Sequence, residues 1–176
     1  MSILVGAGES ARVEMATIGN EGVVGAYSAL NAAHAIGDNI VQVAGEAMRL
    51  EIAHFNHYLQ ESSSFHQLMH RYLFALTRQI VQAGACNRLH TMEERCARWL
   101  LMMHDRTRAD TFPLTQEFLS DKLGVRRATV NLTLGILKAA ALIRYVRGQI
   151  TILDRTGLEA ASCPRYELIR QEFQQL

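Results

Sequence analysis

The most informative segment of the chain is Thr115-Gln-Glu-Phe-Leu-Ser-Asp-Lys-Leu-Gly-Val-Arg-Arg-Ala-Thr-Val130. Thr115 is a good N-cap, and the apolar residues after it have the spacing of a short helix over residues 116–123. Gly124 can take the left-handed conformation that ends a helix and turns the chain sharply. A second helix is predicted over residues 126–140. This order of elements predicts a helix-turn-helix.

The second helix separates into two faces. Val130, Leu134 and Leu137 recur at the spacing of a buried stripe. The side chains on the opposite face are small or neutral, and two arginines stand at the N-terminus, the end of a recognition helix that usually reaches base edges. The outward residues are expected to be Arg126, Arg127, Ala128, Asn131, Leu132 and Gly135.

A β-hairpin is predicted directly after this helix, over residues 143–153. Apolar and polar residues alternate there, and Arg147-Gly148 supplies a tight turn. A hairpin in this place is a wing, and Arg144 and Arg147 are expected to contact DNA phosphates.

Charge is unevenly distributed along the chain. The stretch from Lys122 to Leu153 holds six cations and no carboxylate, which favours a polyanionic partner for this part of the chain. On charge alone, a solvated basic surface explains the stretch equally well.

Residues 63–88 are predicted to form one long helix, with Ser62, Ser63 and Ser64 as candidate N-caps. Its apolar residues recur at alternating spacings of four and three, as in a helix that packs along a partner helix. We expect this seam to join two copies of the chain; the alternative is an ordinary core helix of one chain. The seam residues are Phe65, Met69, Tyr72, Leu76, Gln79, Ala83 and Cys86.

The first sixty residues are expected to form mainly short strands, at Ser10–Ile18, Ile40–Val43 and Ala47–Glu51, before a short helix at Ile52–Gln60. Turns are expected at Gly6–Glu9 and Gly19–Gly22.

Thr91-Met-Glu-Glu94 is a capping box. The helix that it opens is expected to end near His104, before a polar loop over residues 105–111. Its buried residues are expected to be Cys96, Trp99, Leu100 and Met103.

Composition excludes several classes of protein. With 176 residues, 49% of them hydrophobic and 20% charged, the chain can bury a core and is not expected to be disordered. There is no membrane-length apolar run and no secretory signal. Three cysteines without metal-ligand spacing indicate reduced thiols of the cytoplasm and no metal site. No catalytic constellation stands out, so no enzyme and no cofactor are expected.

Four stretches together resemble the Crp/Fnr family of bacterial transcription regulators: Asn87–Leu101, Leu114–Val130, Leu142–Ile152 and, more weakly, Ala16–Gly25. The resemblance implies an α+β protein with a β-roll sensor, a long dimerisation helix and a C-terminal winged helix-turn-helix. It also implies a homodimer that reads a palindromic operator in double-stranded DNA, with RNA polymerase as a candidate further partner. The expected divisions are residues 1–61, 62–88 and 89–176. The first is shorter than the family's sensor, so a truncated, partial β-roll is expected.

The chain departs from the family at several site positions. Arg127 matches the family's base-reading arginine and Thr129 a phosphate-contacting position, but Ala128 and Leu132 replace a glutamate and a second arginine. A different or looser operator is therefore expected. The expected DNA contacts are Thr115, Gln116, Arg126, Arg127, Ala128, Thr129, Asn131, Leu132, Arg144 and Arg147.

The sensor half also departs from the family pattern. Gly25-Ala-Tyr-Ser28 lacks the glutamate, and His34–Asn39 lacks the arginine, that hold a cyclic nucleotide in the family. Without that guanidinium a buried cyclic phosphate has no compensating charge, so no cyclic-nucleotide binding is expected. An alternative function is a truncated protein–protein module that forms non-productive dimers with full-length regulators.

Overall fold

The computed structural model describes residues 1–6, 12–32 and 34–176. Within these residues the chain is an α+β protein with two small sheets and one long helix, as expected. The strands are β1 (Ser2–Gly6), β2 (Arg12–Thr17), β3 (Asp38–Ile40), β4 (Thr111–Pro113), β5 (Ile143–Val146) and β6 (Gln149–Ile152). The helices are α1 (Ile52–Glu61), α2 (Ser63–Leu89), α3 (Met92–Thr107), α4 (Gln116–Leu123), α5 (Arg127–Ala139), α6 (Arg155–Ala160) and α7 (Arg165–Gln174), with a 3-10 helix at Ala26–Leu30.

The N-terminal sheet has the strand order β2-β1-β3, with antiparallel pairs. Strand β2 confirms the described part of the strand predicted at Ser10–Ile18. Residues 7–11, which include most of the turn predicted at Gly6–Glu9, lie outside the described residues. Strand β1 has no counterpart in the sequence prediction, because an apolar stretch at a chain start carries no turn signal on its first side.

Two other strand predictions fail in this region. Only Ile40 of the predicted strand Ile40–Val43 is in β3, and Ala47–Glu51 forms no strand. Residues 47–51 are exposed and have no regular secondary structure, and no described strand pairs with them. The short helix predicted from Ile52 is confirmed as α1.

Helix α2 begins where the serine caps predict, since the Ser62 hydroxyl accepts a hydrogen bond from the Phe65 N–H at 3.3 Å. The predicted seam, however, packs on its own chain, which is the alternative reading of the same spacing. The side chains of Met69, Tyr72 and Leu76 lie in a core with strands β1 and β2. The whole predicted seam is turned inward, with Phe65 half-buried and Met69, Tyr72, Leu76, Gln79, Ala83 and Cys86 buried.

The outer face of α2 is the one that no other described part of the chain covers. Phe74 and Val81 are 61% and 60% exposed, and Thr77 and Gly84 continue the same face in the spacing of four and three. We call Phe74, Thr77, Val81 and Gly84 the outer strip.

Helix α3 begins with the predicted capping box, in which Thr91 and Glu94 bond each other's backbone amides. It ends at Thr107, three residues beyond His104. Arg108 takes the left-handed conformation at the C-cap, with φ 52. An arginine in that position gives no glycine signal, so the sequence alone places the end too early.

A second core fills the C-terminal part of the chain. Leu100, Leu119 and Ile150 are fully buried there and join α3, α4 and the sheet β4-β6-β5. Arg95 fixes α3 to α4, because its Nη2 donates to the Leu123 carbonyl at 2.5 Å. No described helix has the length and apolarity that a membrane crossing requires.

Glu14 on β2 connects the two cores. Its carboxylate accepts from Trp99 Nε1 on α3 at 2.9 Å and from Thr17 Oγ1 at 2.7 Å. It also accepts from Gln42 Nε2 at 2.7 Å and lies 3.5 Å from Lys122 Nζ on α4. One buried carboxylate therefore contacts both cores, beside other contacts such as the ion pair of Arg106 with Glu21 and the packing of Phe173 on the N-terminal core.

Candidate nucleic-acid interface

The predicted helix-turn-helix is present as α4, a turn and α5. The Thr115 hydroxyl oxygen caps α4 by accepting from the Phe118 N–H at 3.1 Å. Gly124 ends the helix in the left-handed conformation, with φ 64. A Cβ at this position would also lie 3.2 Å from Val13 Cγ2, so both the backbone conformation and the close approach of β2 favour glycine.

Helix α5 has the two faces that its spacing predicts. Val130, Leu134 and Leu137 are buried in the C-terminal core, and Thr133 is buried beside them. The opposite face meets solvent, and its exposed residues are Arg126, Arg127, Ala128, Asn131, Leu132 and Gly135. Among the expected DNA contacts on this helix, Thr129 differs in being half-buried.

Three polar side chains connect the start of α4 to the exposed face of α5. Arg127 Nε donates to Gln116 Oε1 at 3.3 Å, and Gln116 Nε2 donates to Asn131 Oδ1 at 3.1 Å. The Arg127 guanidinium is therefore held through Nε, which leaves its two Nη groups for another acceptor. The spacing within one helix does not predict this link, because Gln116 belongs to the other helix.

The predicted wing is the hairpin β5–β6. Arg147 and Gly148 both have positive φ, 48 and 76, as a two-residue turn between twisted strands requires. The side chains of Arg144 and Arg147 are exposed. Strand β4, which the sequence did not predict, pairs with β6; three residues ending in proline are too few for a period of two to show.

Five of the six cations between Lys122 and Leu153 lie on the surface, namely Arg126, Arg127, Lys138, Arg144 and Arg147. Lys122 is the exception, because its side chain is buried between Glu14 and the ring of Phe118, with Nζ 4.4 Å from the ring centroid. Burial lowers the pKa of Lys122, partly offset by Glu14. The basic surface is thus α5 and the wing, and Lys122 belongs to the junction of the two cores.

A cavity of about 160 Å³ lies beside the 3-10 helix. Its described lining includes Gly25, Tyr27, Ser28 and His34, and none of the described lining residues is Arg or Lys.

One cluster of potential metal ligands was missed by the sequence analysis. Cys86, His90 and Cys163 each offer a ligand atom, and these atoms lie within 4.8 Å of one another. The signal available in the sequence was the spacing of four between Cys86 and His90, which puts both on one face of a helix end. Among the described residues, His66 and His70 approach each other on α2 but gain no third ligand.

Comparisons with known proteins agree with this geometry. Residues 94–161 match the family described as the Crp-like helix-turn-helix domain. Comparison with curated protein sequences found no significant match.

Several solved structures share the fold. FixK2 from Bradyrhizobium japonicum is 18% identical, with a TM-score of 0.57 over 65% of this chain and 60% of that chain. A CRP/FNR-family transcriptional regulator from Thermus thermophilus is 20% identical, with a TM-score of 0.53 over 57% and 55%. A CooA mutant from Carboxydothermus hydrogenoformans is 19% identical, with a TM-score of 0.53 over 62% and 54%. The matched part of this chain therefore spans between about half and three fifths of those chains.

The α4-turn-α5 unit and the hairpin after it define a winged helix-turn-helix protein. Residues 94–161 match the Crp-like helix-turn-helix domain family, which agrees with the resemblance for this part of the chain. The solved Crp/Fnr-type structures share the fold.

Proposed function

We propose that the chain is a sequence-specific DNA-binding transcription regulator, with α5 in the major groove and the wing on the phosphate backbone. The observation that carries the proposal is the exposed face of α5, which is free of carboxylates and begins with Arg126 and Arg127. RNA polymerase remains a candidate partner from the family resemblance alone.

Arg127 is the proposed base-reading residue. Its Nε is engaged by Gln116, and its two Nη groups suit the O6 and N7 acceptors of a guanine. Leu132 is 67% exposed on the same face, and an apolar side chain there suits the methyl group of a thymine. With Ala128 in place of an acidic residue, the face offers fewer polar contacts to bases than the family pattern does.

Phosphate contacts are proposed for groups around this face. The Thr115 oxygen accepts from a backbone amide, so its hydroxyl proton remains available to a phosphate oxygen. Gln116 is also at the start of α4, and Thr129 offers a second hydroxyl on α5. The exposed guanidinium groups of Arg144 and Arg147 extend the contact along the wing.

A homodimer is proposed along the outer strip of α2, in place of the inward-facing seam. Its two large apolar residues, Phe74 and Val81, are seven residues apart, so they lie on the same side of the helix. A two-fold dimer presents two copies of α5, which suits a palindromic operator.

We also propose that no cyclic nucleotide is bound. The cavity beside Gly25–Ser28 offers no guanidinium or ammonium among its described lining residues. A cyclic phosphate placed there would lose its hydration without gaining a countercharge.

The base-reading role is tested with Arg127→Ala. We expect the variant to lose about 1–3 kcal/mol of discrimination at one base pair of each half-site, since a bidentate guanine contact disappears. Fluorescence anisotropy against an operator duplex and single-base variants of it measures this loss.

Arg147→Ala is the matched control, because it removes the same type of side chain from the wing. It should weaken binding to all duplexes about equally and reduce the slope of the salt dependence by about one. The proposal fails if wild-type protein binds operator and scrambled duplexes with equal affinity, or if the Arg127 variant keeps full discrimination.

A further inference from the structure

Two cysteines and a histidine meet where the long helix joins the C-terminal part of the chain. Cys86 lies in the last turn of α2, and His90 is the C-cap of that helix. Cys163 lies between α6 and α7. The Sγ atoms of Cys86 and Cys163 are 3.6 Å apart, although the two residues are 77 positions apart in the sequence. None of the three residues is within the matched helix-turn-helix family, which covers residues 94–161.

Backbone contacts hold the three side chains in place. The His90 N–H donates to the Cys86 carbonyl at 3.2 Å, which ends α2 and places His90 one turn beyond Cys86. The Tyr166 N–H donates to the Cys163 carbonyl at 3.1 Å, which fixes the loop before α7. Both thiols are buried, with exposures of 0% and 1%.

The histidine ring has a polar atom without a partner. Nδ1 of His90 is buried and has no hydrogen-bond partner among the described residues. The residue as a whole is half-exposed. A buried ring nitrogen without a partner costs free energy unless another group uses it. A cation shared with the two sulfur atoms would satisfy it.

We propose that Cys86, His90 and Cys163 form a binding site for a thiophilic divalent cation of the Zn²⁺ class. In a tetrahedral site with Zn–S bonds of about 2.3 Å, two sulfur ligands are about 3.8 Å apart, close to the observed separation. Two thiolates and one imidazole are three of the four ligands that such an ion takes. The half-exposed side of His90 leaves the fourth position to water or to a further ligand.

The charges around the site are compatible with this ion. The hydrogen bond with Cys163 and burial raise the pKa of the Cys86 thiol, whereas the hydrogen bond with Cys86 lowers the pKa of Cys163; the Arg98 guanidinium acts in the lowering direction on both thiols. Two thiolates and a divalent cation together carry no net charge, so the occupied site would not repel the Arg98 guanidinium. Binding would connect the end of α2 to the start of α7 and so fix the long helix against the C-terminal core.

The experiment uses the full chain, reduced and freed of metal by a chelator. Titration with Co²⁺, followed by absorption, should show one ion per chain, with the thiolate charge-transfer and visible bands of a tetrahedral site. Zn²⁺ should abolish these bands by displacing the Co²⁺. We expect Cys86→Ser, Cys163→Ser and His90→Gln each to weaken binding by at least about 100-fold.

Cys96→Ser is the matched control, because Cys96 is also fully buried but lies outside the cluster. It should bind Co²⁺ as the wild type does. Circular dichroism of every apo variant shows whether the fold is kept. The proposal is overturned if the reduced wild type gives no thiolate bands, if Cys96→Ser loses them equally, or if metal binding survives in the folded Cys86 and Cys163 variants.

A disulfide between Cys86 and Cys163 is the competing use of the same geometry. Mass spectrometry of the unreduced protein detects it as the loss of two hydrogen atoms. A disulfide together with no Co²⁺ binding after reduction would also overturn the metal site.

Discussion

Val81→Glu is expected to turn the protein into a monomer and to lower its affinity for a palindromic operator by about 100- to 10,000-fold. The magnitude follows from the loss of the effective concentration that links two half-site contacts. Val81 is 60% exposed in the middle of the outer strip, so in a dimer along α2 the new carboxylate would face its copy on the partner helix. Two desolvated like charges between the two outer strips disfavour the dimer strongly.

Analytical ultracentrifugation gives the oligomeric state, and anisotropy with full and half operators gives the affinity. Val41→Glu is the matched control, since Val41 has the same side chain and the same 60% exposure outside α2. It should remain a dimer. A Val81→Glu protein that stays dimeric and binds the operator like wild type would place the dimer contact elsewhere.

Glu14→Ala is expected to lower the free energy of unfolding by about 3–5 kcal/mol, the range found when one partner of a buried ion pair is removed. The substitution leaves Lys122 buried without its countercharge and Trp99 Nε1 without its acceptor. Because Glu14 connects β2 to both α3 and α4, the loss should fall on the junction of the two cores.

Chemical denaturation of the full chain measures this change. Glu117→Ala is the control, since Glu117 is exposed on α4 and should change the stability by no more than about 0.5 kcal/mol. In the double variant Glu14→Leu/Lys122→Met, part of the loss should be recovered, because the uncompensated ammonium is removed as well. Equal losses in the Glu14 single variant and the Glu117 control would show that the buried carboxylate has no special role.

The helix-turn-helix could be predicted from the sequence because its determinants are local. Thr115 caps α4, Gly124 supplies the left-handed turn, and three apolar residues in α5 give the buried stripe within a single helix. The tight turn of the wing was equally local, since Arg147-Gly148 is enough to specify it.

The inward packing of α2 could not be predicted in the same way. Alternating spacings of four and three occur both in a seam between two chains and in a helix buried against its own sheet, since both need a continuous apolar stripe. What decides between them is that β1 and β2 cover the face with Met69 and Tyr72. That contact depends on residues far away in the sequence.

Long-range polar contacts were also beyond the sequence analysis. Glu14 and Trp99 are 85 positions apart, and neither residue type predicts the other as a partner. The same holds for Cys86 and Cys163. Strand β3 is a different case. The apolar residues after Ile40 suggested a longer strand, but among the described residues they have no neighbouring strand to pair with.

Under the proposed function, the exposed face of α5, led by Arg127, reads base pairs in the major groove. Selection of binding sites by the full chain from a pool of randomised duplexes, followed by sequencing, tests it most directly. We expect a two-fold symmetric motif whose half-sites are one helical turn apart. Each half-site should contain a guanine that is no longer enriched when the selection is repeated with the Arg127→Ala variant. Failure of the wild type to enrich any motif, or an unchanged motif with the Arg127 variant, would contradict the account.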